Sequence, residues 1–368
     1  MPSDYSVRPY HPGDEEGIVE LLELVFDGWP HFDLECTPLD HWKWKYLDNP
    51  TTNAVLSVAV SNNEIVGCFG LFIQRIKIGD RIFLGSNGVD VAVHPDFRRL
   101  GIYNKLWSLI NELKINTGIK FHYGVEGNPI LIRKNLRLGF YLFPFSAMQF
   151  IKIRDIDLHF RLVPTKYAYF KKYGFQLLKL YNKFKTSLTG SPSLADDFNI
   201  YEIKSFDDRI KVFWDEIKDH YNFIIERNKN YLNWRYCDSR GGKYIVKIAE
   251  NNGRILGYSV IRINKYKTEY PTGYIVDIIT LPDRFDVVNK LVKNAVQYFD
   301  GNNINLIQTL VIKHHPYEEV FRTHGFLNIK SKLYLNYPPD VKIDDDLNKF
   351  HKSSRDRIYF SYGDYDPI

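Results

Sequence analysis

Two arginines and one glycine lie in the stretch HPDFRRLGIYNKL, residues 94–106, between a proline-marked turn and the start of a predicted helix. The first amides of a helix have no partner inside the helix and lie at the positive end of its dipole, so they favour an anion. Gly101 lets the backbone come close to such an anion, and Arg98 and Arg99 can add charge-assisted hydrogen bonds. The pattern predicts a site for phosphate or pyrophosphate.

The chain contains a second copy of the sequence around this turn. Residues 44–68 align without a gap with residues 234–258, and VDVAVHPD (89–96) matches VDIITLPD (276–283). Long blocks that recur in the same order indicate a duplicated domain. The second turn, PDRFDVVNKL (282–291), lacks the glycine and the arginine pair and carries Asp286. We therefore expect only the first copy to bind an anion.

The elements that position the turn follow from hydrophobic periodicity. In the first copy the pattern predicts a short strand, a helix from about residue 14, strands joined by turns at 62–63 and 79–80, and an apolar strand over 86–93. A helix over 101–118, a strand over 119–128 and a helix over 129–139 follow. This is an α/β (α+β) domain with a mixed sheet. Its second copy spans about 198–335.

Three segments result from this division. Residues 1–155 form the first domain, residues 156–197 a basic linker, and residues 198–368 a degenerate second domain with a strand predicted in the tail over 356–368. Within the linker, residues 161–185 place lysines and apolar residues on different helical faces. Two interpretations stay open: a helix packed on the first domain, or peripheral contact with an anionic membrane.

Composition excludes several classes of protein. With 368 residues, 44% apolar and 25% charged, the chain is typical of a two-domain globular protein. A net charge of +5 gives no indication of nucleic-acid binding, and three cysteines without paired spacing indicate neither disulfides nor a zinc site. No further ligand at suitable spacing accompanies His314, His315 and His324, so no metal is expected. No apolar signal core is visible, which favours a cytoplasmic protein.

The stretch VAVHPDFRRLGIY, residues 91–103, resembles the cofactor motif of the GCN5-related N-acetyltransferase (GNAT) superfamily, and LRLGF (136–140) resembles that family's closing Gly-Phe motif. The resemblance implies a tandem duplication of an acyl-CoA N-acyltransferase-like domain with acetyl-CoA as donor. It assigns pantetheine contacts to Val91, Ala92 and Val93. It also implies pyrophosphate or other cofactor contacts for Arg98, Arg99, Leu100, Gly101, Ile102, Tyr103 and Asn128.

Two positions depart from the family pattern. The last motif position, usually glycine or alanine, is Tyr103, and the frequent tyrosine acid is replaced by Asn135. Because a thiol of pKa about 8.5 is a tolerable leaving group, the missing tyrosine need not abolish acyl transfer.

Acetyl transfer to an amine needs a base and an oxyanion site. An alkyl amine has a pKa near 10.4, so a base or a desolvating pocket must remove its proton. The candidates are Glu126 and Asp90, with His94 or a water chain as alternatives. Asp277 occupies the position of Asp90 in the second copy, which favours a structural role for both. A backbone N–H around Ala92 or Val93 can hold the oxyanion.

The sequence therefore predicts an N-acetyltransferase that moves an acetyl group from acetyl-CoA to a primary amine of a small molecule or an amino sugar. Three alternatives stay open: an aminoacyl transferase, a long-chain acyltransferase of the same duplicated fold, and a non-catalytic coenzyme A-binding scaffold. The acids of the tail are expected to be solvated. The oligomeric state is left open.

Overall fold

The computed structural model describes residues 4–163, 173–174, 176–177, 197–338 and 344–365. Its strands are β1 Ser6–Pro9, β2 Leu56–Ser61, β3 Glu64–Ile78, β4 Arg81–Val93, β5 Phe121–Glu126, β6 Tyr141–Ile153, β7 Asn199–Ile203, β8 Phe223–Ile225, β9 Ile245–Asn251, β10 Arg254–Asn264, β11 Thr272–Thr280, β12 Leu306–Ile312 and β13 Leu327–Tyr337. Its helices are α1 Glu15–Phe26, α2 Pro38–Tyr46, α3 Ile102–Thr117, α4 Pro129–Arg137, α5 Ile156–Leu162, α6 Arg209–Ile217, α7 Lys229–Tyr236, α8 Phe285–Gly301, α9 Tyr317–Thr323 and α10 Asp344–His351.

The predicted elements of the first copy are present in the predicted order. Asn62 and Asn63 adopt φ of 49° and 64°, as the tight turn between β2 and β3 requires, and α3 ends at Gly118 with φ 77°. Helices α2 and α7 were not predicted, because their aromatic-rich sequences lack a clear apolar stripe. Thr37 and Asp40 form a capping box that starts α2 at Pro38.

One mixed sheet joins the two copies, in the order β1-β2-β3-β4-β5-β13-β6-β12-β11-β10-β9-β7, with β8 paired to β3. The final strand of each copy lies beside the other copy: β6 pairs with β12, and β13 pairs with β5. The predicted α/β fold class with two copies is therefore confirmed, and the copies share one sheet through exchanged strands.

Each copy contains one pair of parallel strands that separates at its carboxyl end. Strand β4 pairs with β5 only over residues 85–87 and 121–123, and β11 pairs with β12 only over 272–275 and 306–309. Beyond these residues the backbones diverge. The divergence creates a cleft in each copy, which we call the first cleft and the second cleft.

The tail prediction is wrong for the described residues. Residues 355–357 and 362–364 form short 3-10 helices, and only Ile358 makes a bridge, with Phe223. The tail uses side chains instead of a backbone ladder for its hydrogen bonds, as described below. Asp364 is 1% exposed, so its expected solvation is also wrong.

The domain limits 1–155, 156–197 and 198–368 stay predictions, since the structure shows strand exchange between the first and last of them. Most of the basic segment 161–185 lies outside the described residues. None of the described helices is long and apolar enough to span a membrane.

Candidate functional site

The predicted anion turn connects β4 to α3. A 3-10 turn, Pro95–Phe97, follows β4, and the chain then reaches α3 through two residues in the left-handed region, Arg99 at φ 68° and Gly101 at φ 81°. This backbone conformation is uncommon for residues other than glycine. Where a left-handed residue is followed by a helical one, as Gly101 is by Ile102, successive N–H groups turn toward one point and make a concavity for an anion.

The amides of this turn are available to a ligand. Among the described residues, none accepts a hydrogen bond from the backbone N–H groups of residues 99–103, whereas the amides of Asn104 and Lys105 donate to Gly101 O. The turn borders a surface depression of about 390 Å³, and no carboxylate lies among its described lining residues. Arg98 and Arg99 are both exposed there. The geometry and charge fit a pyrophosphate.

Gly101 leaves the backbone of the turn accessible, whereas Tyr103 forms part of the wall of the depression. A Cβ built on Gly101 would meet no atom of the described residues within 4 Å, so the backbone is accessible from outside. Tyr103 packs its ring 6.2 Å from the ring of Phe69 and is 47% exposed. The unusual residue at this motif position thus lies on the wall of the depression, and partial burial raises its pKa.

The corresponding turn of the second copy is closed by its own side chains. Arg284 binds the carboxylate of Asp286 at 2.6 Å, in the first turn of α8, and reaches Asp197 at 3.5 Å. An acidic side chain therefore occupies the position at the helix start that an anionic ligand would take.

The first cleft exposes backbone amides of β4. Ala92 pairs with Cys68 of β3, and His94 N donates to Val66 O, so the amides of Val91 and Val93 face away from β3 and toward the cleft. Strand β5 is paired with β4 only at residues 85–87 and does not reach them.

In the second cleft, the equivalent amides bind side chains of the protein itself. Ile278 N, which matches Val91, donates to the hydroxyl of Tyr359 at 3.2 Å. Thr280 N, which matches Val93, donates to the hydroxyl of Tyr317 at 3.3 Å. Two tyrosines thus satisfy the amides that the first copy directs into its open cleft.

The C-terminal tail fills the second cleft. Tyr359 and Ser361 donate to Asp277 Oδ1 at 2.6 and 3.1 Å, and residues 358–361 leave a cavity of only about 20 Å³ between β11 and β12. Arg227 binds Asp364 of the tail at 2.7 Å. These residues were not identified from the sequence, since nothing local connects the tail with β11.

Asp90 is buried and fully engaged. It accepts hydrogen bonds from Lys45 Nζ at 2.8 Å, Tyr46 Oη at 2.6 Å and Trp29 Nε1 at 2.9 Å. Burial alone would raise its pKa, but the Lys45 charge and these hydrogen bonds outweigh burial and lower it. Asp90 also adopts φ 50°, at the shift in register between β3 and β4.

Glu126 ends β5 at the other wall of the first cleft. It is half-buried, and its Oε1 accepts a hydrogen bond from Asn128 N at 2.6 Å. Asn128 is exposed and caps α4 by accepting from Ile130 N at 2.9 Å. His94 forms a local turn contact, with its Nδ1 accepting from Asp96 N. Among the described residues no group of His, Cys, Asp or Glu side chains could hold a metal ion.

The model of the acetyltransferase (GNAT) domain family matches residues 6–121, which include β4, the turn and α3. This chain contains a GNAT acetyltransferase domain. The matched region is about a third of the chain. The recognition made from the motif is confirmed, as is the prediction of an acyltransferase that uses an acyl-coenzyme A donor.

Solved structures extend the GNAT fold over both copies. A tandem GNAT protein from the clavulanic acid biosynthesis pathway is 15% identical with a TM-score of 0.55, and the alignment covers 91% of this chain and 98% of that one. N-myristoyltransferase of Saccharomyces cerevisiae with bound myristoyl-CoA is 12% identical with a TM-score of 0.59, covering 92% and 83%. A probable N-acyltransferase from Enterococcus faecalis V583 is 11% identical with a TM-score of 0.59, covering 91% and 72%. No curated protein sequence matches the chain.

Proposed function

We propose that this GNAT protein transfers an acetyl group from acetyl-CoA to a primary amine of a small molecule or an amino sugar, and that only its first copy binds the donor. One observation carries the proposal. The amides of residues 99–103, and those of Val91 and Val93, face open space in the first copy, whereas tyrosines and Asp286 occupy the equivalent places in the second.

The turn and the first cleft bind different parts of the donor. The amides of residues 99–103, with Arg98 and Arg99, bind the pyrophosphate, and β4 residues 91–93 pair with the pantetheine. Asn128 Oδ1 is engaged in capping α4, so its Nδ2 is the group left to reach the donor. Val93 N–H, or Val91 N–H, then holds the thioester oxygen as negative charge develops on it.

The reaction is a direct displacement. The amine nitrogen attacks the thioester carbon, the C–N bond forms, and the C–S bond breaks to release coenzyme A as a thiolate. The amine proton passes to a base, and a proton from solvent or from that base neutralises the thiolate. We propose Glu126 as the base because it lies at the cleft. Among the described residues its carboxylate accepts a single hydrogen bond, from the backbone amide of Asn128 to Oε1, so the group is available to take a proton.

Asp90 is better suited to positioning. Three hydrogen bonds and a side chain that is only 5% exposed leave it little access to an amine, and its carboxylate ties β4 to α2 at the point where β4 diverges from β5. We propose that it fixes the left-handed bulge of β4, which aims the amides of Val91 and Val93. Asp277 makes the equivalent contact with Tyr236 in the second copy.

A short acyl group is favoured by what surrounds Asp90. Trp29, Lys45 and Tyr46 are all buried against β4 on the α2 side of the sheet, so that side of the cleft is filled by protein. An acetyl group needs no further space there, whereas a long chain would have to displace these residues. The long-chain alternative predicts preference for myristoyl-CoA over acetyl-CoA.

Calorimetry and transfer assays test the proposal. Coenzyme A should bind the wild type with one site per chain and should not bind Gly101→Asp. Acetyl-CoA should then be consumed in the presence of an amine panel, faster than myristoyl-CoA. Equal binding to both proteins would remove the assigned donor site. Binding without turnover of any amine would support the scaffold alternative.

An acyl-coenzyme A donor is consistent with a cytoplasmic enzyme, and the basic segment 161–185 remains a candidate for peripheral membrane contact. Flotation with anionic liposomes, with and without residues 161–185, tests that contact. Failure of the full chain to float would exclude it.

A further inference from the structure

A second open pocket lies two strands from the first cleft. It has a volume of about 360 Å³ and is lined by residues 142–146 of β6 together with Lys313, His314, Tyr334 and Arg355. We call it the bulge pocket. Its shape comes from β6, where Ser146 opposes Tyr334 but Leu142 opposes Asn336, so residues 143–145 form a bulge in the ladder. Pro144, which has no N–H for the ladder, lies in the bulge.

The sheet places this pocket beside Glu126. Tyr334 lies directly opposite Glu126 on β5, and Ser146 lies directly opposite Tyr334 on β6. Residues that oppose each other in antiparallel strands project from the same face of the sheet. Since neighbouring strands are about 4.8 Å apart, Ser146 lies roughly 10 Å from Glu126. Lys313 N donates to Ser146 O and continues the row.

The charged side chains that line the bulge pocket are cationic. Lys313 and Arg355 both line it, and no carboxylate is among its described lining residues. Arg355 donates from one guanidinium nitrogen to Pro144 O at 2.8 Å, while its Nη1 is buried without a hydrogen-bond partner in the described part of the chain. No described residue accepts a hydrogen bond from Lys313 Nζ either. A buried cationic donor without an acceptor, such as Arg355 Nη1, is costly, and an oxyanion would satisfy it while also pairing with the half-buried Lys313.

We infer that the bulge pocket binds an oxyanion, phosphate or carboxylate, carried by the acceptor amine. This rests on the proposed acetyl transfer and adds the substrate class: an amine whose anionic group lies about 10 Å from the reacting nitrogen, the separation of Glu126 from Ser146. Tyr334 and Ser146 supply hydroxyl groups between the base and the cations. The acceptor therefore lies along the row from β5 to β12, across the strands that the two copies exchange.

Ligand-observed NMR on protein saturated with coenzyme A tests the inference, because saturation keeps the probes away from the turn at Gly101. The probes are hexylamine, 6-aminohexyl phosphate and 8-aminooctanoic acid, which share a primary amine, and the extended chain of each anionic probe is long enough to reach from Glu126 to the bulge pocket. We expect the wild type to bind one or both anionic probes at least fivefold more tightly than hexylamine. Equal binding of all three would overturn the inference.

Variants assign the preference to the pocket. Lys313→Ala should lose most of the preference for the anionic probes, and Arg355→Ala should do the same. The side chain of Lys313 makes no hydrogen bond or ion pair within the described part of the chain, so its variant keeps the test valid if Arg355→Ala fails to fold. Lys204→Ala, which removes an exposed lysine elsewhere, is the matched control and should behave as the wild type. An unchanged preference in Lys313→Ala would overturn the assignment.

The same samples separate this inference from the proposed function. Coenzyme A binding, measured first by calorimetry, tests the donor site alone. If coenzyme A does not bind, the proposed function fails whatever the probes do. If coenzyme A binds and the anionic probes show no preference, only the bulge pocket assignment fails.

Discussion

Trp44 and Trp234 stack on each other at the centre of the molecule, and each donates its indole N–H to the backbone carbonyl of the other. The donor distances are 2.9 and 3.0 Å, the ring centroids are 4.7 Å apart, and the ring planes differ by 18°. The two residues are equivalent positions of the sequence repeat, so the contact is nearly symmetrical. The duplicated halves therefore meet through the same residue of each copy, which fits a local two-fold relationship between them.

That symmetry makes each copy a control for the other. The first copy keeps an open turn and an open cleft, and the second closes both with Asp286, Tyr317 and Tyr359. Residues that are shared, such as Asp90 and Asp277, are explained by the fold. Residues found only in the first copy, such as Arg99 and Gly101, are left for the ligand.

Gly101→Ala should weaken coenzyme A binding at least tenfold, because the new methyl group would project into the space where the pyrophosphate lies. Gly118→Ala is the matched control: it lies at the other end of α3, with φ 77° against 81°, and in the described part of the chain neither added Cβ would meet an atom within 4 Å. Each should lose about 1 kcal/mol of stability from left-handed strain. Calorimetry checks affinity and urea unfolding checks stability; equal affinities of the two variants would contradict the assignment.

Arg99→Gly should separate charge from conformation. Because Arg99 adopts φ 68°, glycine relieves strain and the free energy of unfolding should change by less than about 1 kcal/mol. Loss of the guanidinium should reduce coenzyme A affinity about tenfold and weaken its dependence on salt. Titrations at two ionic strengths measure both effects. Arg99→Lys keeps the charge and should retain more of the salt dependence; identical behaviour of all three proteins would show that Arg99 does not touch the donor.

Asp90→Asn should lose stability, whereas Glu126→Gln should lose activity. Asp90→Asn should lose about 3–5 kcal/mol of stability, since removing the charged carboxylate breaks a buried ion pair in which the side chains of Lys45 and Asp90 are 1% and 5% exposed. The double variant Asp90→Asn with Lys45→Met should recover much of that stability and keep turnover within about tenfold. Glu126→Gln should fold normally and lower kcat by about 10²–10⁴, the usual contribution of a general base.

Urea unfolding and pH–rate profiles distinguish these outcomes. Loss of the ionisation that controls the rate at acidic pH, in Glu126→Gln alone, would identify Glu126 as the base. If the double variant is stable but inactive and Glu126→Gln is active, Asp90 is the base and Glu126 is not.

Stability should fall between pH 6.5 and pH 5. Burial lowers the pKa of His41, His122 and His315 to about 3, whereas the same residues in the unfolded chain take up protons near pH 6.5. Each therefore contributes stability above pH 6.5 that is lost as pH falls, at about 1.4 kcal/mol per pH unit. Asp364 opposes this below about pH 6, because burial raises its pKa to about 6 and the folded state then binds the extra proton.

Urea unfolding at pH 7 and pH 5 measures the net loss. His122→Gln should show a smaller difference between the two pH values than the wild type. His11→Gln, at an exposed position, should show the wild-type difference. No difference between pH 7 and pH 5 in the wild type would contradict the burial of these three residues.

The sequence predicted the parts that depend on local pattern. The turn at residues 98–101 and the repeat itself are visible in short stretches, and the resemblance to the GNAT motif follows from them. Exchange of β6 and β13 was not predictable, because β6 pairs with β12 at more than 150 residues distance and nothing local selects that partner. The tyrosine contacts of the second cleft likewise depend on a tail whose position only the tertiary structure shows.

The central claim is that the donor contacts the amides of the first copy and not those of the second. Hydrogen–deuterium exchange with and without coenzyme A tests it most directly, because the amides of residues 99–103 have no acceptor among the described residues and should exchange quickly without the donor. We predict that coenzyme A slows exchange at residues 91–93 and 99–103 and leaves residues 276–287 unchanged. Unchanged exchange in the first copy, or protection of 276–287 instead, would contradict the account.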